Sequence, residues 1–211
     1  MILEKSKNSW YFINKGISWI NYNELNRALS SFDKSLSLEP DNLVAQFHKG
    51  TTLYKLERTL ESIECFDKVI ESDPKNIDAL LNKGLALDKE GRNEEAIKCF
   101  ERILEIDSKY PDALTYKGSN LSQLGKHEEA IDLFDKVLEV NQKNSNALYN
   151  KSIVLGRLGK NTDMIFYLYI ILRITKKDAR LFLRAKWRIQ LHAKPRFPFQ
   201  INIDKLNASK Q

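Results

Sequence analysis

Apolar residues return along this chain at helical spacing, in paired runs that recur every 34 residues. Trp10, Phe12, Ile13, Ile17, Trp19 and Ile20 make one run; the chain then turns near Tyr22-Asn23; Ala28, Phe32, Leu36 and Leu38 make a second run that stops at Pro40. Helix, short turn, helix, turn is the predicted unit. The cleanest copy, Leu80 to Phe100, fixes the register: Gly84 aligns with Gly16, Gly50 and Gly118, and Phe100 with Phe32, Phe66 and Phe134. Five copies follow from this register, 9–42, 43–76, 77–110, 111–144 and 145–178, after a lead-in over 1–8. No stretch alternates in the manner of a strand, so the class is all-α, and one continuous core is expected instead of two domains.

Glycine in a helix interior costs about 1 kcal/mol against alanine, so a glycine column marks a close approach between helices. The columns predict Gly16, Gly50, Gly84 and Gly118 at the crossing within each pair, Ala28, Ala96 and Ala130 across from them, and the phenylalanines filling the space between one copy and the next. The fifth copy departs from the pattern. Ser152 stands for glycine, Met164 for alanine and Leu168 for phenylalanine. Its second helix, from Met164 to Leu172, is apolar nearly all round and therefore needs a cover. A helix over 179–193, capped by Asp178, would supply one, burying either Phe182, Ala185 and Ile189 or Leu183, Trp187 and Leu191. Homodimerisation through the same apolar surface is the alternative to a capped monomer. Pro195 and Pro198 end that helix, leaving an extended tail over 194–211 whose Phe197 and Phe199 either fold back onto the cap or serve as a linear motif.

The 34-residue period, the small residue of the first helix, the alanine of the second, the aromatic one turn later and the closing Pro40 and Pro74 resemble the tetratricopeptide repeat over residues 9 to about 178. The resemblance implies a right-handed superhelical solenoid of helix-turn-helix repeats with a C-terminal capping helix. It also implies a non-catalytic scaffold or adaptor that holds a peptide segment or a partner's helix in a groove lined by the first helices. The outward columns place Asn14, His48, Asn82, Tyr116 and Asn150 on that face, with Phe47, Leu81, Thr115 and Tyr149 beside them. An amide ladder suits an extended backbone because each amide both donates and accepts. Some members of the family clamp the C-terminal carboxylate of chaperones with lysine, arginine and asparagine. Here Val44, Asp78, Asp112 and Asn146 stand where basic clamp residues are wanted, which disfavours that mode.

Charge changes the picture at one end. The formal net charge is +6, yet residues 173–196 alone carry nine basic residues against one acid. Lys177, Arg180, Arg184 and Arg188 offer a patch for an anionic partner, nucleic acid or anionic lipid, as the alternative function; a solvated face of the cap is the plain reading. The lysines Lys15, Lys49, Lys83, Lys117 and Lys151 form a ladder whose stems are expected to pack along the helix with their ammonium groups in water. The neighbouring pairs Asp33-Lys34, Asp67-Lys68, Glu101-Arg102 and Asp135-Lys136 are periodic and read as surface.

Catalytic chemistry finds little support. His48, His127 and His192 fall in different copies without ligand-spaced partners, no glycine-rich phosphate loop follows a strand, and neither metal nor cofactor is expected. Cys65 and Cys99 occupy equivalent places in successive copies, roughly 10 Å apart at helix-packing distance, so free thiols are expected. The first residues lack the charged head and apolar run of a signal peptide, and the longest apolar window is shorter than the roughly 20 residues that span a bilayer. Together these features predict a cytoplasmic protein.

Overall fold

The computed structural model describes residues 2–174 and 187–188. Among the described residues the chain forms ten helices and no strand: α1 Ile2–Asn21, α2 Leu25–Leu38, α3 Leu43–Lys55, α4 Thr59–Ser72, α5 Ile77–Lys89, α6 Asn93–Ile106, α7 Pro111–Gln123, α8 His127–Val140, α9 Ser145–Arg157 and α10 Asn161–Ile174. The fold is an all-α repeat solenoid. Its first helix begins at Ile2, so the lead-in is part of α1. Beyond Trp187 and Arg188, which are helical, the expected cap over 179–193 and the tail lie outside the described residues.

Short polar motifs set the helix ends. Asn42, Asn76 and Asn144 each place a side-chain oxygen 3.0 Å from the amide three residues on, at Ala45, Ala79 and Ala147, and so cap α3, α5 and α9. At the equivalent place before α7, Tyr110 gives no cap, but Pro111 at the first turn has no amide proton to satisfy. The second helices α4 and α6 open differently. The guanidinium groups of Arg58 and Arg92 donate twice to Glu61 and Glu95, which holds both carboxyls below their usual range. The tight turn inside each pair needs one left-handed residue, and Gly91, Gly125 and Gly159 supply it at φ of 73°, 81° and 72°. Asn23 and Glu57 take the same conformation at 59° and 63° without that freedom.

The chain divides into two compact units, one up to Val137 and one from Leu138. In the first, α1 packs on α2, α3 on α4 and α5 on α6. α2 also packs on α3, α4 on α5 and α6 on α7, and α1, α3, α5 and α7 neighbour one another in turn. Phe32, Phe66, Phe100 and Phe134 are fully buried. In the second unit α9 packs on α10, and Ala147, Leu148, Met164, Leu168 and Ile171 form its interior.

The glycine columns differ from expectation in what they face. A Cβ at Gly16, Gly50, Gly84 or Gly118 would lie 2.5 to 2.8 Å from the ring of Phe32, Phe66, Phe100 or Phe134, the phenylalanine of the same pair. At Gly118 backbone is among the nearest atoms as well, with the Ala130 carbonyl oxygen 3.2 Å away. Each glycine is therefore the seat of a ring, and the ring belongs within the pair before it belongs between pairs. The next pair adds a cover: His48 stacks on Phe32 at 5.7 Å and Tyr116 on Phe100 at 5.8 Å.

The lysine ladder also differs. Lys49 reaches Asp33 at 2.7 Å, Lys117 reaches Glu101 at 2.8 Å, and Lys83 pairs with Asp67, so these ammonium groups bind the preceding second helix. The acids that read as periodic surface are their partners. Each pair is partly exposed and contributes about 0–1 kcal/mol, too little to drive stacking but repeated where α3, α5 and α7 meet the second helices before them.

Candidate interaction face

The face formed by α3, α5 and α7 is built from the side of each first helix left over after packing. Phe47 is half-buried and meets Phe66 at 5.9 Å, while Val44 one turn earlier is 41% exposed. Leu43, Val44, Phe47 and Val69 line a niche of about 180 Å³ that Asn76 and Asp78 close at the start of α5. Toward the other end of the helices, Lys89 sits 5.2 Å above the ring of Tyr54 and 3.1 Å from Glu57, and Gln123 donates to Asp88 at 3.0 Å. These contacts join α3 to α5 and α5 to α7 along one side.

Of the residues assigned to this face from sequence, Asn14 is exposed on α1. Asn82 is partly exposed, and its amide donates to the Asp78 carbonyl at 2.8 Å, which ties one donor to its own helix. Leu81 is partly buried against the core. His48 and Tyr116 are half-buried by their phenylalanine stacks. Thr115 departs furthest from the outward reading: it is 4% exposed and donates to the Pro111 carbonyl at 2.7 Å, so it belongs to the interior. Tyr149 and Asn150 lie on α9, in the second unit, both partly buried. Lys177, Arg180 and Arg184 lie outside the described residues, and Arg188 falls in the helical pair with Trp187. Sequence reasoning put Val44 on this face only as a position lacking a clamp base, and it missed Tyr54 and Asp88, which lie nearly two turns beyond the columns chosen on α3 and α5.

Titratable groups reflect these surroundings. Burial pushes the Tyr116 phenol up, and the neighbouring Asp112, Tyr54 and Asp88 push it further. Tyr110 is raised by burial and then by Asp112, Asp78 and Asp107. His48 is depressed by burial. Cys65 and Cys99 are free and buried, and burial raises both thiols, which leaves little thiolate for nucleophilic chemistry. Among the described residues no group of three His, Cys, Asp or Glu side chains could hold a metal, and no helix is long and apolar enough to cross a membrane.

A stack of helix pairs seated on glycine and phenylalanine, with one side of its first helices left partly open, is the architecture of a repeat scaffold. Two family models of the tetratricopeptide repeat match consecutive stretches, residues 43–76 and 75–142. The protein is a tetratricopeptide repeat protein, and such repeats are typically non-catalytic binders of protein or peptide partners. Among solved structures it is similar to YrrB, described as a TPR protein with an unusual peptide-binding site. Identity is 26% with a TM-score of 0.66, over 83% of this chain and 90% of that one. A tetratricopeptide repeat protein from Parabacteroides merdae shares 21% identity at a TM-score of 0.75, covering 90% of this chain and 81% of that one. MamA from Desulfovibrio magneticus shares 14% at 0.74, covering 82% and 97%. No curated protein matches the sequence.

Proposed function

We propose that this protein is a non-catalytic interaction scaffold that holds an extended segment or a helix of a partner against its first helices. The observation that carries this reading is the set of partly open apolar and aromatic side chains on the first helices, Val44, Phe47 and Tyr54 on α3 and Tyr116 on α7, with a niche of about 180 Å³ beside Val44 and Phe47. Such a surface offers apolar area at little entropic cost, because the rings are already fixed by their stacks. The peptide-binding site of YrrB, a protein of the same fold, supports the same use.

A photocrosslinking amino acid placed at Val44 or Ser119 tests it against the same probe at Leu60 or Glu105 on the second helices. Partner adducts from Val44 and Ser119 and their absence from the second-helix positions are expected. Adducts only from Leu60 or Glu105 would move the site to the other side and end this reading.

A further inference from the structure

The charges on this face are not balanced, although the chain as a whole is basic. Four cations of the first helices are committed elsewhere, while Lys55 ends α3 exposed: Lys49, Lys83 and Lys117 turn toward the preceding second helices and pair with Asp33, Asp67 and Glu101. Lys89 is held by Glu57 over the Tyr54 ring. The acids on the open side are not so engaged. Asp78 and Asp112 are exposed and, among the described residues, neither forms an ion pair; Asp88 accepts one amide hydrogen bond from Gln123. Asp78 borders the niche, Asp112 stands one turn before Tyr116 on α7, and Asp88 lies toward the far end of α5, so the carboxylates are spread along two consecutive first helices.

Resting on the scaffold reading above, we propose that the partner segment is basic: a stretch carrying lysine or arginine with an apolar side chain between them. The apolar side chain enters the niche of Leu43, Val44, Phe47 and Val69 beside Asp78, and the cations meet Asp78, Asp88 and Asp112. Two observations favour this occupant over an acidic or neutral one. An acidic segment would bring like charges together on a partly desolvated surface, which costs binding, whereas a basic one neutralises carboxylates that have no partner of their own. The phenols of Tyr110 and Tyr116, raised first by burial, are raised further by these same carboxylates, which agrees with a locally negative surface. Asp78 and Asp112 also sit in the first turns of α5 and α7, where a carboxylate favours the helix, but that role leaves their outer sides open to a cation.

The test is a random twelve-residue peptide library displayed on phage and panned against the full chain, followed by affinity measurement with the enriched peptides. Enriched peptides are expected to combine lysine or arginine with leucine, isoleucine, methionine or phenylalanine. Their affinity should fall about tenfold in the triple variant Asp78→Asn, Asp88→Asn, Asp112→Asn, a loss of the size expected for three partly exposed ion pairs. A control with equal charge change on the second helices, Glu64→Gln, Glu71→Gln, Glu105→Gln, should keep parental affinity. Equal weakening in the control would reduce the effect to bulk attraction and overturn the proposal. Enrichment of acidic or neutral peptides that are insensitive to the aspartate variant but lost in Val44→Asp would refute the basic partner while keeping the scaffold. Failure to enrich any peptide would overturn both.

Discussion

Replacing Gly84 with alanine isolates the contact on which the helix pairs are seated. The added methyl would stand 2.5 Å from Cε1 and 2.7 Å from Cζ of Phe100, well inside contact distance. Phe100 has no exposed surface and lies under Tyr116, so the ring has nowhere to withdraw. Overpacking of this kind costs about 1–3 kcal/mol, and the confined ring puts it at the upper end; helix propensity returns about 1 kcal/mol. The expected net loss is therefore about 2 kcal/mol. Phe100→Leu removes the ring atoms the methyl would strike and by itself costs about 1–2 kcal/mol. In the double variant the clash disappears, so the loss should fall short of the sum by about 1–2 kcal/mol. Urea unfolding followed by far-ultraviolet circular dichroism measures all four corners of this cycle. Gly156→Ala serves as the control: its methyl would meet only the Met164 thioether, with sulfur at 2.8 Å, and that flexible side chain can turn away. The reasoning is refuted if Gly84→Ala is as stable as the parent, or if the double variant equals the sum within about 0.5 kcal/mol.

Glu57→Gly should raise stability by about 0.5–1 kcal/mol in the same assay, because relief of a left-handed residue outweighs the chain entropy of glycine and the exposed contact to Lys89. Ser62 stands where other pairs have alanine and its buried hydroxyl has no partner, so Ser62→Ala should stabilise by about 1 kcal/mol; an unchanged urea midpoint would count against that account. His48 is buried against Phe32 with its pKa depressed, so the unfolded chain takes up the proton first as pH falls below its value of about 6.5. Stability from this residue is present above that pH and lost as pH falls below it. Unfolding curves from about pH 7 to about pH 5 should show this slope in the parent and a flatter one in His48→Gln.

The helix pairs were legible because glycine and phenylalanine recur in step, and the same arithmetic hid a second relation. Gly84 meets Phe100 within a pair; Phe32 meets His48, Phe100 meets Tyr116 and Asp33 meets Lys49 between pairs, all at the same separation along the chain. Aligning columns only with themselves, one period apart, misses a second helix facing the next first helix about half a period away. That is why the lysines read as solvated and the acids as idle surface. The open face was harder to read for a geometrical reason. Its residues flank the buried stripe of a helix, where one position decides between core and groove, so Thr115 was placed outward and Val44 was overlooked as a contact. Glu57 stands where Gly91, Gly125 and Gly159 make the turn of other pairs, and apolar periodicity does not mark that this glutamate takes the left-handed conformation.

Stacking uses one side of each first helix and the proposed recognition another, and this separation bears on how charge is read. The glycine and lysine columns of α3, α5 and α7 are consumed by the neighbouring second helices, whatever the partner. Val44, Asp78 and Asp112 are spared, so they can vary without disturbing a joint, whereas Asp88 is also tied to Gln123 of α7. Formal charge hides this, since the +6 of the whole chain is dominated by the nine bases between residues 173 and 196. A screened field is felt over about 10 Å, so an incoming segment responds to the carboxylates beside the niche and not to the sum. A basic protein can in this way present an acidic face, and the basic partner proposed above rests on that local sign.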